Sequence, residues 1–214
     1  MRKGAVLVQV LGWVLVVSGA ATFGHWWWSN EQGDREYREG QLALRDRFHA
    51  ATTTTRPDPP TEPTAPPKGS PIGVLRIPKI GLDVVVVEGV DQEQLRTAPG
   101  HYEETPLGPY GNTPVNMAIA GHRTTYGGPF RHLGELRPGD QIEFEDLNEH
   151  RFRAVVTRSF RVSPEDVWVL DQPPPTGSSI LTLTTCDPPG SDRYRLVVRA
   201  RFVGPTPGSR LRFE

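Results

Sequence analysis

Short runs in which apolar and polar residues alternate constrain the fold of this chain more than any other feature. In residues 180–186 (ILTLTTC), Leu181 and Leu183 occupy one phase and Cys186 the other. Side chains on a β-strand point alternately to the two faces of the sheet. The run therefore predicts a strand that carries the only cysteine of the chain at its C-terminal end, on the face opposite the two leucines.

Residues 194–202 (YRLVVRARF) alternate in the same way, with arginines, Arg195 among them, in the phase opposite the apolar side chains. The segment between the two runs contains two prolines and a glycine, which are typical of a loop. The two runs are therefore predicted to be antiparallel neighbours. We expect the thiol of Cys186 and the arginines of the second run to lie near each other.

Five further runs of strand-forming residues precede these two: residues 72–77, 82–89, 115–120, 141–145 and 151–162. The 22 prolines and 22 glycines suit many short strands joined by turns. Seven or eight strands around one core of ordinary size predict an all-β barrel or sandwich. We expect only short helical segments in this region, at residues 91–97 (capped by Asp91), 129–136 and 164–168.

The composition excludes several kinds of site. A single cysteine rules out an internal disulfide and a cysteine-based zinc site. The formal net charge of -1 gives no indication of nucleic-acid binding, and the sequence has neither an HEXXH motif nor a paired His/Asp spacing that would indicate a catalytic metal. We therefore expect no cofactor, no metal and no nucleic-acid partner.

Residues 5–23 (AVLVQVLGWVLVVSGAATF) form an uncharged apolar stretch that spans about 28 Å as a helix, enough to cross a bilayer. Arg2 and Lys3 precede it and acidic residues follow it, so the positive-inside rule predicts a cytoplasmic N-terminus and an extracytoplasmic remainder. The alternative is a cleavable signal peptide, because residues 18–20 are small. The length of the stretch and the three tryptophans at 26–28 favour a retained anchor.

The part of the chain that follows the apolar stretch does not have the composition of a domain. Residues 31–51 are highly charged, with few apolar side chains larger than alanine, which predicts at most a solvated helix. Residues 52–71 are rich in threonine and proline and predict an extended spacer. We therefore divide the chain into a cytoplasmic tip, anchor and aromatic belt (1–30), a charged segment and linker (31–71), a globular domain (72–204) and a C-terminal tail (205–214).

Three polar side chains within or just after predicted strands form a candidate site: Cys186, His122 and Arg195. A cysteine nucleophile needs a proton acceptor or a positive neighbour, an acyl-transfer intermediate needs a donor for its oxyanion, and a leaving amine needs a proton. Cysteine, histidine and arginine supply these functions. His101, in a loop, is the alternative to His122, and Arg193, in the same strand phase, is the alternative to Arg195.

The residues around these three positions resemble the signature blocks of the sortases, cell-surface transpeptidases of Gram-positive bacteria. The blocks are AGHRTTYGGPF at residues 120–130, TLTTC at 182–186 and RLVV at 195–198. Within the family, GHRTTYG and TTCDPPG are most similar to the actinobacterial class E. The resemblance implies a closed seven- to eight-stranded sortase-type β-barrel with short helices, preceded by an N-terminal transmembrane helix.

The resemblance also implies a membrane-anchored enzyme that cleaves a Leu-Pro/Ala-x-Thr-Gly type sorting signal between Thr and Gly. Cys186 would carry the acyl group as a thioester until an amine of a cell-wall precursor resolves it. His122 would be the general acid/base, and Arg195 would steady the substrate and the oxyanion. Thr184 and Thr185 are candidates for binding the substrate backbone. The implied partners are surface proteins with sorting signals, the cell-wall amine and the lipid membrane.

One residue departs from the resemblance. Asp187 directly follows the cysteine, where many class E members have histidine, and a neighbouring carboxylate disfavours the thiolate. Clustered acids at 103–104 and 143–146 are candidates for the calcium modulation known in some sortases, and ordinary solvated acids explain them equally well.

Two other functions remain open for the same chain. A thiol hydrolase would differ only in that water, rather than an amine, attacks the thioester. A non-enzymatic, membrane-tethered β-domain would bind a surface partner and leave Cys186 inert, because a lone cysteine is often a small buried apolar residue. The products formed from a sorting-signal peptide, with and without an added amine, separate the three hypotheses.

Overall fold

The computed structural model describes residues 2–54 and 66–203, with side chains for residues 9–52 and 66–203. A long helix, α1, spans Arg2–Thr54, and a short helix, α2, spans Gln92–Leu95. Three 3₁₀ turns occupy Pro78–Ile80, Leu133–Glu135 and Val167–Leu170. The strands are β1 (Pro71–Ile77), β2 (Leu82–Glu88), β3 (Gly100–His101), β4 (Asn116–Ala120), β5 (Gln141–Asp146), β6 (Arg151–Val162), β7 (Ile180–Asp187) and β8 (Tyr194–Val203).

These eight strands of the described residues close into a barrel in the order β1-β2-β3-β4-β7-β8-β6-β5. The barrel prediction is confirmed. The predicted antiparallel pairs β1–β2, β5–β6 and β7–β8 all form. β4 and β7 are parallel neighbours although many residues separate them in the chain, and no local pattern predicts that pairing.

The interior of the barrel is filled by the apolar phase of its strands. Leu181 and Leu183 of β7 are fully buried and belong to one cluster with side chains of neighbouring strands, among them Met117 and Ile119. Fully burying a side chain of this kind contributes roughly 1.5–3 kcal/mol. Because the two leucines point inward, Cys186 in the other phase points to the outer face of β7, as the alternation predicts.

The short helical segments lie close to their predicted positions. α2 falls within 91–97 and the turn Leu133–Glu135 within 129–136, whereas the turn Val167–Leu170 begins near the end of the predicted 164–168 segment. Asp91 stands at the N-cap of α2 but makes no capping hydrogen bond. Its carboxylate instead accepts a hydrogen bond from Lys68 Nζ at 2.7 Å.

Helix α1 joins the apolar N-terminal segment to the barrel without a break. Large apolar side chains between Val10 and Trp28 are exposed. By its length and composition the helix can cross a membrane. The predicted N-terminal helix is therefore present, and it continues well beyond residue 30.

The segment 31–51 differs from the expectation of a solvated helix. One face of α1 is buried against the barrel through Tyr37, Gln41, Leu44 and Phe48. Leu44 and Phe48 form a cluster with apolar side chains of β1 and β2. This part of the chain therefore packs on the barrel. Its few large apolar side chains, from which the sequence predicted a solvated helix, are sufficient to form a buried face.

The signal for this packing is present in the sequence, but a count of apolar residues misses it. Residues three or four apart form the docked face, namely Gly33, Tyr37, Gly40, Leu44 and Phe48. Because glycine has no side chain, the helix backbone approaches the barrel closely, and a Cβ on Gly40 would lie 2.6 Å from the Cβ of Thr97. Because the backbones approach so closely, a small number of apolar side chains is enough to dock the helix on the barrel.

Gln41 supplies hydrogen bonds to β2 where β3 is too short to pair with it. β3 has only two residues and pairs with Val87 and Glu88 at the end of β2, which leaves Val85 without a strand partner on that side. The side-chain amide of Gln41 donates to Val85 O at 3.1 Å and accepts from Val85 N at 2.8 Å. A buried polar group without a partner costs about 1–3 kcal/mol, so Gln41 supplies the pairing that a longer β3 would provide.

The domain boundaries stay predictions. The linker predicted at 52–71 lies mostly outside the described residues, and the tail predicted at 205–214 lies entirely outside them. The packing of α1 nevertheless means that a fragment starting near residue 69 would lack the cover that Leu44 and Phe48 give to β1 and β2.

Leu44→Ala in the full-length protein is expected to lower the free energy of unfolding by about 2–3 kcal/mol, because it leaves a cavity between α1 and the barrel. Leu42→Ala is the matched control, since Leu42 is an exposed residue of the same helix and its truncation should change that free energy by at most about 0.5 kcal/mol. Urea denaturation in detergent micelles measures both. Equal losses would show that α1 does not dock on the barrel.

Candidate active site

The parallel pairing of β4 and β7 brings the segment that carries His122 to the end of β7 that carries Cys186. Along the two strands the partners run from Asn116 with Ile180 to Ala120 with Thr184. Gly121 N continues the ladder beyond β4 by donating to the carbonyl oxygen of Thr184 at 3.1 Å. His122 lies two residues after Ala120, and Cys186 lies two residues after its partner Thr184.

The antiparallel pairing of β7 and β8 places Arg195 directly opposite Cys186. Side chains of directly opposite residues lie on the same face of the sheet. Nη1 of Arg195 donates to the carbonyl oxygens of Asp192 at 2.9 Å and Tyr194 at 3.2 Å, which holds the guanidinium at the end of β8. The alternative, Arg193, is exposed before β8 begins, with its guanidinium carbon 5.2 Å from the centre of the Tyr194 ring.

His122 occupies a site that favours the neutral imidazole. Burial lowers the pKa of His122 below its ordinary value, so the ring is mostly uncharged at pH 7. Among the described residues its buried Nε2 has no hydrogen-bond partner. The ring packs against Tyr126, with the two ring centres 5.2 Å apart. A neutral histidine with an unpaired ring nitrogen is able to exchange a proton with a thiol on the neighbouring strand.

His101, the alternative to His122, is engaged in a buried network. Its Nδ1 lies 2.9 Å from Oε2 of Glu88, and its Nε2 lies 3.0 Å from Oγ1 of Thr105 and 3.2 Å from the carbonyl oxygen of Pro106. Because both ring nitrogens have partners within the barrel wall, His101 supports the fold around β3.

The two candidate threonines have different surroundings. Thr184 shares the phase of Cys186, and its hydroxyl lies 2.9 Å from the phenol oxygen of Tyr102. Thr185 is in the other phase and donates to the carbonyl oxygen of Gly121 at 2.7 Å. Thr185 therefore ties the residue before His122 to β7.

Tyr102 is a residue of this site that the sequence analysis missed. It follows β3, a strand of two residues with no recognisable alternation, so no local signal connects it to β7. Burial raises the pKa of Tyr102, and the hydrogen bond with Thr184 and the charge of Arg195 oppose that rise to a smaller extent. Tyr102 is thus a neutral phenol next to Thr184, on the same side as the thiol.

From the sequence, the carboxylate of Asp187 is expected to disfavour the thiolate of Cys186, but in the structure this carboxylate is paired with arginines. The carboxylate is buried and forms ion pairs with Arg123 and Arg161. Nη1 of Arg123 also donates to the carbonyl oxygen of Cys186 at 3.1 Å. Two guanidinium groups therefore compensate the charge of Asp187, and the pairing fastens the residue after His122 to the end of β7.

Three of the clustered acids considered for calcium, Glu103, Glu145 and Asp146, are paired with basic or hydroxyl groups. Glu103 lies 2.9 Å from Lys68, and Glu145 lies 2.7 Å from Arg76. Asp146 accepts a hydrogen bond from the hydroxyl of Tyr110 at 2.6 Å. Within the part of the chain that the structure describes, no group of three His, Cys, Asp or Glu side chains could hold a metal ion.

Arg123→Gln is expected to lower the free energy of unfolding by about 2–3 kcal/mol, because it removes one partner of a buried carboxylate while Arg161 remains. Arg161→Gln is the matched control and should cost at most about 1 kcal/mol, since its side chain is 58% exposed whereas that of Arg123 is 11% exposed. Urea denaturation compares the two. A larger loss for Arg161→Gln would contradict this assignment of the ion pairs.

Comparison with known proteins connects this geometry to a family. The sequence model described as "Sortase domain" matches residues 75–203. Sortase SrtE1 of Streptomyces coelicolor is 31% identical over 230 aligned residues, which cover 98% of this chain and 61% of that relative. Sortase SrtE2 of the same organism is 27% identical over 219 residues, with 94% and 84% covered. This chain spans about three fifths of the length of SrtE1.

Solved structures of similar proteins have the same architecture. Sortase E1 from Streptomyces coelicolor, with a tripeptide in its active site, superposes with a TM-score of 0.59 at 32% identity, covering 68% of this chain and 96% of that one. A Clostridium perfringens sortase D5 transpeptidase gives a TM-score of 0.60 at 26% identity, covering 79% and 99%. Because the family match covers more than half of the sequence and the fold agrees, the chain belongs to the sortase family.

Proposed function

We propose that this chain is a membrane-anchored cysteine transpeptidase that cleaves a Leu-Pro/Ala-x-Thr-Gly type sorting signal between Thr and Gly. The observation that carries the proposal is the position of Arg195 and His122 on the two chain segments that flank the end of β7, where Cys186 lies. Arg195 lies opposite Cys186 on β8, and Gly121, the residue before His122, is hydrogen-bonded to Thr184 of β7, two residues before Cys186. Membership of the sortase family and the similarity to a sortase D5 transpeptidase support this reaction.

The first half of the reaction forms a thioester. His122, neutral because burial lowers its pKa, accepts the proton of the Cys186 thiol, and the sulfur attacks the carbonyl carbon of the threonine in the sorting signal. The peptide bond to glycine breaks, and His122 returns the proton to the leaving amine. The acyl group is then held on Sγ of Cys186.

Arg195 stabilises the negative oxygen that develops during this attack. Among the described contacts its Nη1 is used by the carbonyl oxygens of Asp192 and Tyr194. A guanidinium has five N–H donors, so Nε and Nη2 retain donors for the carbonyl oxygen of the substrate. A positioned donor of this kind has its largest effect in the transition state, where the charge is greatest.

The second half of the reaction transfers the acyl group. An amine of a cell-wall precursor attacks the thioester and forms the new amide bond, and the bond between Sγ of Cys186 and the acyl carbon breaks. His122 takes up the proton of that amine and passes it to the leaving sulfur, which regenerates the thiol. In this proposal the hydroxyl of Thr184, beside Tyr102 on the face of the thiol, contacts the substrate backbone. Thr185, whose hydroxyl is used by Gly121, contributes by holding the residue before His122.

The proposed location is the cell membrane, with a cytoplasmic N-terminus and an extracytoplasmic barrel. The apolar part of α1 has the length and composition of a membrane span, and Arg2 and Lys3 precede it. The exposed tryptophans at 26–28 suit the membrane interface. Surface proteins with sorting signals and a cell-wall amine are the proposed partners.

A comparison of products tests this function against the two alternatives. The full-length protein in detergent micelles is incubated with a sorting-signal peptide, with and without an added amine. Transpeptidation gives an amide product when the amine is present, a thiol hydrolase gives a free threonine carboxylate in both samples, and a binding domain leaves the peptide intact. We expect the amide product.

Cys186→Ala is expected to abolish turnover of the peptide, because the chain contains no other cysteine to carry the thioester. His122→Ala and Arg195→Ala should each lower kcat by about 10²–10⁴, the effect of losing an acid/base group or an oxyanion donor. Circular dichroism of the same samples checks that the variants are folded.

Arg193→Ala is the matched control for Arg195→Ala, since its exposed guanidinium lies over Tyr194. Its kcat should stay within about twofold of the unmodified protein, in line with the near-neutral effect of most surface substitutions. Activity that survives Cys186→Ala, or a loss with Arg193→Ala as large as with Arg195→Ala, would refute the site.

A further inference from the structure

The loop that follows His122 is in direct contact with helix α1. Its residues 123–130 leave β4, and the backbone N–H of Phe130 returns to donate to the carbonyl oxygen of His122 at 3.0 Å. At the far end of this loop the backbone N–H of Gly127 donates to Oδ1 of Asp34 at 2.8 Å. The hydrogen bond joins the juxtamembrane part of α1 to the loop that carries the candidate acid/base.

The fit between the helix and this loop leaves no room for additional atoms. Gly127 has a φ of +72°, and a Cβ built on it would lie 2.3 Å from Cδ1 of Tyr37. A Cβ on Gly33 would lie 3.3 Å from Cδ1 of Tyr126. Each contact pairs an aromatic ring with a glycine, one glycine on the loop and one on the helix. The ring of each tyrosine thus lies directly against the backbone of the other element.

Tyr126 connects this contact to His122. Its φ of +48° lies in the left-handed region, a conformation that costs a residue with a side chain about 1–2 kcal/mol and persists only where the surroundings hold it. The ring is held by His122 on one side and by Gly33 of α1 on another. Its hydroxyl accepts a hydrogen bond from Nε of Arg96 at 3.2 Å.

Arg96 is itself connected to the helix, because its Nη1 lies 3.8 Å from a carboxylate oxygen of Glu36. Four residues of one stretch of α1 therefore contact the loop or the groups that hold it: Gly33, Asp34, Glu36 and Tyr37. We call this stretch, residues 33–37, the juxtamembrane clamp.

We propose that the juxtamembrane clamp positions His122 for catalysis, so that the helix carrying the membrane anchor is a functional part of the active site. The proposal rests on the transpeptidase function. Gly33, Asp34 and Tyr37 are positioning residues, which act through Tyr126 and the backbone of the loop. When the clamp is lost, Tyr126 is free to leave its left-handed conformation and the imidazole loses the ring that packs against it.

The expected kinetic consequence is a fall in kcat with little change in KM. Among the described residues, no hydrogen bond, ion pair or ring contact joins residues 33–37 to β7 or β8, the strands that carry Thr184, Cys186 and Arg195. Substrate binding along β7 should therefore persist. Misplacing an acid/base group by about 1 Å lowers the rate of the chemical step by up to about 10²-fold. Loss of the clamp should therefore lower kcat about 10- to 100-fold.

Gly127→Ala in the full-length protein tests the proposal. The new methyl group collides with Tyr37 and pushes the loop away from α1. Gly81→Ala is the matched control, because Gly81 has a similar φ of +65° with nothing within 4 Å of a built Cβ, so it introduces the same backbone strain without the collision. The folded fraction of each variant is measured by circular dichroism, and kcat is expressed per folded molecule.

Asp34 provides a second test that leaves the backbone unchanged. Asp34→Ala removes the acceptor for Gly127 N–H and should lower kcat, whereas Asp34→Asn keeps a side-chain oxygen at that position and should restore most of it. Glu39→Ala is the control, since Glu39 is an exposed acid of the same helix. These residues are on the helix surface, so the test holds even where Gly127→Ala fails to fold.

The outcomes separate the clamp from the proposed function. A lower kcat for Gly127→Ala and Asp34→Ala, with unchanged KM and with normal values for Gly81→Ala and Glu39→Ala, supports the clamp. An unchanged kcat for Asp34→Ala, or an equal loss for Asp34→Asn, overturns it. If the unmodified protein forms no amide product, the transpeptidase function fails and the clamp with it.

Discussion

The parallel pairing of β4 with β7 is the constraint on which the candidate site depends. Parallel strands cannot be joined by a tight turn, so the chain completes β5 and β6 before β7 returns beside β4. The hydrogen bonds of Gly121 with Thr184 and Thr185 extend this register past the end of β4. That extension holds the residue before His122 against the end of β7, and β8 adds Arg195 on the other side of β7.

Ion pairs and a hydrogen bond restrain the C-terminal end of β7. Asp187 is held by two arginines, and one of them, Arg123, also contacts the carbonyl oxygen of Cys186. Because Arg123 directly follows His122, the ion pair restrains both segments of the candidate site, the one after β4 and the end of β7. The acid that departs from the class E pattern thus has a structural explanation in this chain, although in sequence it stands next to the thiol.

Helix α1 joins the barrel to an apolar segment that is long enough to cross a membrane, and it contributes to the barrel's own structure. Gln41 hydrogen-bonds to β2 where β3 is too short to do so, and residues 33–37 contact the loop after His122. At the helical rise, Tyr37 lies about 14 Å along the axis beyond Trp28. In the proposed topology a continuous helix therefore holds the candidate site close to the membrane surface.

The sequence by itself predicted seven or eight strands in a barrel or sandwich, the apolar helix before them and the phase of Cys186, because strand alternation and apolar length are local properties. Its resemblance to the sortases selected the closed barrel and favoured His122 over His101 and Arg195 over Arg193. The tertiary structure adds two observations that favour the same residues, namely the occupied nitrogens of His101 and the register that pairs Cys186 with Arg195. Tyr102, the arginine partners of Asp187 and the docking of α1 also came from the tertiary structure alone. These contacts join residues far apart in the chain, and their geometry depends on strand register and on which surface each element meets. The spacing of apolar residues and glycines marks the docked face of α1, but no local pattern encodes the part of the barrel that this face meets.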